Sequence, residues 1–285
     1  MLSSLYKKII GKDKVKKNIF YVPKKYALLG MGGIGSYTLS KYNPYVRQVK
    51  EFMANPGITY EGSLIRKIRE RIRDLIDNNK FQKLLGKKLQ VELAEYVPEE
   101  VMREKAQNRD LLYIPYRDWI TADSKSKTGK KYIHSYSLDR EKSREKDREN
   151  FYPKREDFFT LKSLYNSIKN NGYKPENYLT INSSYIQGDL LKKDWEFKFH
   201  IASGRHRAAV LAALDYEEIP VIFYDNRKSM NKLKTARYHH ILDVRNVENW
   251  LVVENDIYPP EFAKKLFDLY FDPAEEHKAS LLGMD

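Results

Sequence analysis

The stretch FHIASGRHRAAVLAALDYEEIPVIFYD, residues 199–225, decides the fold of this chain. Its first part alternates apolar and polar residues, as a half-buried strand does, and the alternation breaks at Ser203 and Gly204. A helix of small residues follows, and then the apolar run IPVIFYD, which is typical of a buried strand. We therefore predict a strand, a glycine turn, a helix and a second strand that together form a right-handed crossover unit.

The glycine turn has the features of an anion site. Gly204 allows the chain to pass directly from strand to helix, so that the first backbone N–H groups of the helix point at the end of the sheet. Arg205, His206 and Arg207 add three side-chain donors at the same helix N-terminus. Cations are unfavourable at this end of a helix dipole unless an anion lies beside them. We predict a phosphate site from Ser203 to Arg207; the alternative is that the basic side chains only bond to carbonyl groups or pair with acids.

The same stretch resembles the signature of the ParB and sulfiredoxin superfamily. In that family a strand leads into a Gly-x-[His/Arg]-Arg turn, a small-residue helix and an Ile-Pro-Val strand. The segment LKSLYNSIKNNGY, residues 161–173, is similar to the family's Leu-x-x-Ser-Ile-x-x-x-Gly element, which precedes the same turn. The resemblance covers about residues 155–226 and implies an α/β fold, with a mixed sheet and flanking helices.

The resemblance also implies a function. Gly204, His206 and Arg207 are expected to contact a nucleotide phosphate, with Arg205 beside them. Sulfiredoxin activity is excluded because it needs a Cys at the position of Arg205 and the chain contains none. Closest in kind are the kinase members, so we expect a phosphotransferase that uses ATP or another nucleoside triphosphate with Mg²⁺. Its acceptor would be a hydroxyl group of a polar small molecule or glycan.

Two other functions stay open at this point. One is a ParB-like nucleic-acid-binding protein or nuclease without kinase activity, with the turn clamping a phosphodiester. The other is an interaction module that binds a nucleotide and performs no chemistry.

Phosphoryl transfer also needs a carboxylate that orients the acceptor hydroxyl and, usually, a divalent metal. The candidate catalytic carboxylates are Glu156 and Asp157, which lie before a predicted helix at 161–170, and Asp139 in the preceding charged segment. Asp225 ends the apolar strand and is the candidate ligand for magnesium, which prefers oxygen. Thr160 is the expected N-cap of the helix, and Gly172 is positioned to end it.

A change in composition divides the chain. Hydrophobic residues are scarce between residues 121 and 150, which is long for a loop within a compact domain. We predict a mainly helical N-terminal region at 1–125, a charged linker or lid at 126–150, and the ParB/sulfiredoxin-like domain at 151–285. Within the first region, SLIRKIRERIRDLIDNN, residues 63–79, has helical periodicity with Ser63 as N-cap. Its basic face is either a nucleic-acid surface or a solvated face whose acids pair with its bases.

A second glycine-rich motif lies near the N-terminus. Gly30, Gly32 and Gly35 have the Gly-x-Gly-x-x-Gly spacing after an apolar run. A dinucleotide site would need a helix directly after the last glycine, and the residues that follow do not favour one. We interpret the motif as a flexible loop or a site of tight backbone packing rather than a phosphate-binding loop.

Charge and composition limit the partners. The chain has 285 residues with 52 Lys and Arg against 39 Asp and Glu, which gives a net charge of +13 and favours an anionic partner. The absence of Cys excludes thiol nucleophiles, disulfides and Cys-bound zinc. The charged N-terminus does not resemble a signal peptide, and no run approaches the length of a membrane span. We expect a cytoplasmic protein that does not insert into membranes.

Overall fold

The computed structural model describes residues 19–31, 35–77, 153–174, 185–223, 241–250, 253, 260–272 and 274–284. The predicted linker at 126–150 lies outside these residues. The described helices and strands form a mixed α/β structure, as the sequence predicts. No helix in this part of the chain combines the length and the apolar character needed to cross a membrane.

Among the described residues, seven strands form one mixed sheet. They are β1 (Phe20–Pro23), β2 (Ala27–Met31), β3 (Gly35–Thr38), β4 (Ile186–Lys193), β5 (Glu196–Ser203), β6 (Glu218–Phe223) and β7 (Ile241–Asp243). Their order is β1-β6-β4-β5-β2-β3, and β7 pairs with the second half of β4. The pairs β2–β5, β4–β6 and β4–β7 are parallel, and the others are antiparallel.

Six α-helices accompany the sheet in the described part of the chain. They are α1 (Pro44–Ala54), α2 (Leu64–Asp77), α3 (Arg155–Asn171), α4 (Arg205–Ala213), α5 (Pro260–Asp268) and α6 (Glu275–Leu281). Short 3-10 helices lie at Lys24–Tyr26 and Val244–Asn249. Helix α4 packs on β4 and β6, and α1 and α3 pack on α4, with α2 against both of them. Helix α6 contacts β3, and α5 contacts the second 3-10 helix.

Both faces of the sheet are covered at its centre. Phe199 and Ile201 belong to the core under the helices, whereas Tyr270 covers His200 on the other face with its ring 5.6 Å from the imidazole. Three consecutive residues of β5 are therefore buried. The alternation in the sequence predicts Phe199 and Ile201 on one face and His200 on the other, which is confirmed; the second face is buried as well because Tyr270 covers it.

Strands accompany the predicted helices in the N-terminal region. The sequence predicts a mainly helical region at 1–125, and its described residues contain α1 and α2 together with three strands at 20–38, which belong to the same sheet as β4 to β7. These strands are only four or five residues long. Segments this short carry little periodicity, and their stability comes from pairing with distant strands.

The predicted crossover is also wrong in direction. Strand β5 is antiparallel to β4, and β4 is parallel to β6, so β5 and β6 run in opposite directions with β4 between them. Helix α4 has nine residues, which rise about 14 Å, whereas the eight residues of β5 span about 26 Å. The connection is too short to return the chain to the start of β5, so β6 begins near the end at which β5 stops.

Two of the three predicted helix ends, those at Ser63 and Gly172, agree with the structure, and the third, at Thr160, does not. The Ser63 hydroxyl accepts a hydrogen bond from the Arg66 amide at 3.3 Å, which confirms the cap of α2. Gly172 ends α3 with a φ of 70°. Thr160 is not the N-cap, because α3 begins five residues earlier at Arg155.

The Gly30–Gly35 motif belongs to a hairpin. Met31 of β2 pairs with Gly35 of β3 in antiparallel register. The last glycine of the motif therefore begins a strand. A dinucleotide site needs a helix at this point. The structure therefore excludes a dinucleotide site at the Gly30–Gly35 motif.

Candidate phosphate site

The candidate site lies where β5 ends and α4 begins. Gly204 joins them with a φ of 79° and a ψ of 21°, the left-handed conformation that favours glycine. A Cβ atom at this position would lie 2.9 Å from the Cα atom of Ile186, so the turn also packs closely against β4. The predicted junction of strand, glycine turn and helix is confirmed.

The second glycine motif meets the turn at the same edge of the sheet. Strands β2 and β5 are parallel neighbours, with Leu29 opposite Ile201. Their carboxyl ends therefore coincide, which brings Gly30 close to the start of α4. The Arg205 guanidinium group donates a hydrogen bond to the Gly30 carbonyl oxygen at 2.8 Å.

The N-terminus of α4 is electropositive. The bond from the Ala208 amide to the Gly204 carbonyl begins the helical pattern, so the amides of residues 205–207 point out of the helix end. No acidic residue lies in the first turn. The partial positive charge of a helix N-terminus and the basic side chains therefore favour an anion here.

The two arginines bond to backbone carbonyl groups. Besides the bond from Arg205 to Gly30, Arg207 donates to the Tyr185 carbonyl at 3.4 Å. Both side chains are half-buried. For these contacts the structure agrees with the carbonyl-bonding alternative that the sequence left open. A carbonyl bond orients a guanidinium group and leaves its charge in place, so these contacts are compatible with anion binding.

His206 is held by a buried carboxylate. The His206 Nε2 atom lies 2.8 Å from Oδ1 of Asp157, whose side chain is almost fully buried. The other oxygen, Oδ2, accepts a hydrogen bond from the Tyr45 hydroxyl at 2.6 Å and one from the Lys154 amide at 2.6 Å. The imidazole ring also packs 4.9 Å from the Tyr45 ring.

These contacts keep Asp157 ionised. Burial by itself would raise the pKa of Asp157, but the hydrogen bonds and charge of His206, with the bonds from Tyr45 and Lys154, outweigh it and lower the pKa. An ionised carboxylate only accepts hydrogen bonds, so Nε2 of His206 must carry the hydrogen. In the neutral ring Nδ1 is then the acceptor, and in the imidazolium form it is a donor.

Three helix N-termini converge on this pair. Tyr45 is the second residue of α1, Asp157 the third of α3 and His206 the second of α4. Asn43 fixes the start of α1 by accepting hydrogen bonds from the Tyr45 and Val46 amides. Each helix adds the positive end of its dipole, which stabilises the ionised form of Asp157 and favours a further anion near His206.

The structure brings together some of the predicted site residues. Asp157 contacts His206, whereas Glu156 is exposed on the first turn of α3. Ser203 ends β5 opposite Gln187. Asp139 and Asp225 lie outside the described residues.

Sequence reasoning missed Tyr45. It lies 112 residues before Asp157, and its only local signal is the Asn-Pro helix start that precedes it. That signal predicts where α1 begins, but it does not show which residue the phenol contacts.

Among the described residues, no group of three or more His, Asp or Glu side chains is placed to hold a metal ion. Magnesium in nucleotide enzymes is usually held by one or two carboxylates together with the phosphates. A carboxylate such as Asp225 would have to provide the protein ligand.

Comparisons of the chain with protein-family models, with curated proteins and with solved structures found no match. The relation to the ParB and sulfiredoxin superfamily therefore stays a prediction from residues 155–226.

Proposed function

We propose that the chain binds a nucleotide through the Gly204 turn and transfers its terminal phosphoryl group to a hydroxyl group of a polar acceptor. The observation that carries the proposal is the 2.8 Å contact between His206 and the buried Asp157 carboxylate at the N-terminus of α4. A histidine held in this way is an acid–base group beside the anion-binding donors of the turn.

Phosphate binding is supported by the donors at the turn. The amides of residues 205–207 and the two guanidinium groups all belong to the first turn of α4. Their positive charges would hold the nucleotide phosphates beside His206.

Proton transfer is supported by the orientation of the ring. With Nε2 bonded to Asp157, Nδ1 is the nitrogen that can accept the acceptor's hydroxyl proton as the oxygen–phosphorus bond forms. The bond between the terminal phosphorus and the bridging oxygen then breaks, and the nucleoside diphosphate leaves with that electron pair. Asp157 is a positioning residue in this scheme, because its lowered pKa and its hydrogen bonds make it a weak base.

ATP or another nucleoside triphosphate is the proposed donor, and Mg²⁺ would neutralise charge on its phosphates. The proposed acceptor is the one expected from the sequence, a hydroxyl group of a polar small molecule or a glycan.

The basic face of α2 gives little support to the rival function as a nucleic-acid binder. Arg66 bonds to Glu70 at 2.8 Å and Arg71 to Asp74 at 2.6 Å. Arg69 donates to the Pro153 carbonyl. These contacts are those of a solvated helix face whose acids pair with its bases, which was the alternative that the sequence left open.

The experiment is a thermal-shift panel of nucleoside triphosphates with and without Mg²⁺, followed by a phosphate-transfer assay. A ligand that binds only the folded state stabilises it by about 2.7 kcal/mol at 100 times its Kd, so the melting temperature should rise. Arg207→Ala should abolish the shift, and Arg73→Ala, an exposed arginine on α2, should retain it. His206→Asn should lose transfer more than binding.

Other results of the thermal-shift panel and the transfer assay would support a different function or contradict the site. A shift with no transfer to any acceptor would support the interaction module without chemistry. No shift with any nucleotide, or a shift that survives Arg207→Ala, would contradict the proposed site.

A further inference from the structure

One face of α3 carries cations placed over aromatic rings. Arg155, Lys162 and Lys169 are seven residues apart, so they lie on the same side of the helix and span about 21 Å along it. The guanidinium carbon of Arg155 lies 5.3 Å from the Tyr60 ring and 5.9 Å from the Phe159 ring. The Nζ atom of Lys162 lies 5.8 Å from the Phe158 ring, and that of Lys169 lies 5.4 Å from the Tyr165 ring.

One ring of this face is open to solvent. Phe159 is 52% exposed, and its ring is nearly parallel to that of the half-buried Tyr60 at a centroid distance of 6.4 Å. Phe158 lies behind both rings in edge contact and is buried. The exposed ring is therefore supported from behind and is flanked by a guanidinium group.

The charge of this face has one sign. From Phe158 to Asn171, α3 contains two lysines and no acidic residue. Its other exposed positions are the uncharged polar side chains of Thr160, Ser163, Asn166, Ser167, Asn170 and Asn171. The two acids of α3, Glu156 and Asp157, are both in its first turn, and Asp157 is bonded to His206. Beyond its first turn, this face is complementary to an extended polyanion.

We propose that α3 binds single-stranded nucleic acid, with an unpaired base stacked on Phe159 beside Tyr60 and Arg155, and the phosphate backbone running past Lys162 and Lys169. Aromatic rings interleaved with cations are the usual combination for such strands, because bases stack on the rings while the cations attract the phosphates. A duplex is a poorer fit, since its bases are already stacked and cannot reach an isolated ring.

This surface is distinct from the Gly204 turn. Asp157 faces His206, whereas Arg155 and Phe159 are each two residues away from it on the helix, about 200° around the axis. The nucleic-acid proposal therefore does not rest on the proposed function.

The test is fluorescence anisotropy with a labelled 12-nucleotide single strand of mixed sequence and with the matching duplex, at several salt concentrations. Phe159→Ala should weaken single-strand binding about tenfold, because one stacked base contributes that much or more. Phe159→Trp should retain binding. Lys169→Gln should reduce the slope of log K against log salt by about 0.7, the value for one phosphate contact on a single strand.

The matched control is Trp195→Ala. Trp195 is 82% exposed in the turn between β4 and β5, and its removal should leave binding unchanged. Thermal unfolding of each variant would show that it is folded, and the nucleotide thermal shift should survive Phe159→Ala.

Several results would overturn the proposal. They are binding that Phe159→Ala leaves unchanged, an equal loss with Trp195→Ala, and a duplex that binds as tightly as the single strand. Tighter binding of an acidic peptide at the same surface would also overturn it, because the partner would then be a protein.

Discussion

Gly204 is required for two reasons, its left-handed backbone conformation and the close approach of Ile186. A second glycine in the chain is a control that separates these two effects. A side chain at Gly204 would be strained by the φ of 79° and would also press on Ile186. Gly283, which ends α6, has a φ of 67° and open space where a Cβ atom would lie. Gly283→Ala should cost about 1 kcal/mol, the cost of a left-handed residue, and Gly204→Ala at least twice as much. Urea unfolding measures both values, and equal losses would show that close packing at the turn is unimportant.

Asp157 should make stability depend on pH in the acid range. Its pKa is lower in the folded state than in the unfolded chain, so its contribution is complete above about pH 4 and is lost as the pH falls through the folded-state pKa. Asp157→Asn should lower the free energy of unfolding at pH 7 by about 2–3 kcal/mol, the effect of weakening charged hydrogen bonds in a buried site. The difference from the wild type should shrink below pH 4. Glu156→Gln, at the exposed neighbouring position, should show neither effect.

Lys278 should make stability depend on pH in the alkaline range. Burial lowers the pKa of Lys278 to about 8, against the opposing charges of Glu275 and Asp272. Between pH 8 and 10.5 the unfolded chain holds a proton that the folded one has released, so this group makes stability rise with pH there. Lys278→Met should remove that rise and be at least as stable at pH 7. A wild type and a variant with parallel stability curves from pH 7 to 10 would contradict the expectation; Lys264→Met on α5 is the exposed control.

At the level of single residues, part of the candidate site could be predicted from the sequence. The Gly204 turn and its basic side chains are adjacent in the chain, so their proximity needs no knowledge of the fold. The pairing of His206 with Asp157 does need it, because they lie on different helices 49 residues apart. The sequence makes Asp157 a candidate catalytic base, and in the proposed scheme it orients His206 instead.

Helix α6 is hydrogen-bonded to strand β3 and the residues that follow it, at the edge of the sheet. Glu275 accepts hydrogen bonds from the Thr38 amide, the Thr38 hydroxyl and the Ser40 hydroxyl, the latter two at 2.9 and 2.7 Å. Lys278 donates to the Ser36 carbonyl at 3.0 Å and lies over the Tyr37 ring. These contacts satisfy polar groups of a strand whose only strand neighbour among the described residues is β2.

Glu275→Ala should weaken the contact between α6 and β3. Three groups of residues 38–40 would lose their acceptor, so we expect a loss of about 2 kcal/mol and faster hydrogen exchange at the Thr38 amide. Glu276→Ala, at an exposed position of the same turn, is the control. Unchanged exchange at Thr38 would show that β3 does not depend on α6.

Long elements were easier to predict than short ones. The heptad-like spacing of Ile65, Ile68 and Ile72 predicted α2, and all three are buried. The direction of β6 was not predictable, because apolar residues show that a strand is buried and not which neighbour it pairs with. Strands β1 to β3 are too short for periodicity, and β1 and β2 pair with residues more than 150 positions away.

The sheet combines strands from both sides of the predicted linker at 126–150. Strand β1 pairs with β6 and β2 with β5, so β6, β4 and β5 lie between β1 on one side and β2 and β3 on the other. The helical layer does the same, since α1 and α2 pack with α3 and α4 in one core. The sequence predicts a boundary at 126–150 from composition, which measures the loss of apolar residues and carries no information about strand pairing.

Cleavage within residues 126–150 would test what this shared sheet means for stability. With a protease site inserted there, the two fragments should stay together on a sizing column after cutting and should unfold in one transition, because neither has a complete sheet or core alone. Fragments separated in urea should regain the native circular dichroism only when mixed. The uncut protein with the same insertion is the control for the insertion itself. Two fragments that separate under native conditions and each unfold cooperatively would instead establish independent domains, and the strand pairs between them would then contribute little to the stability of either.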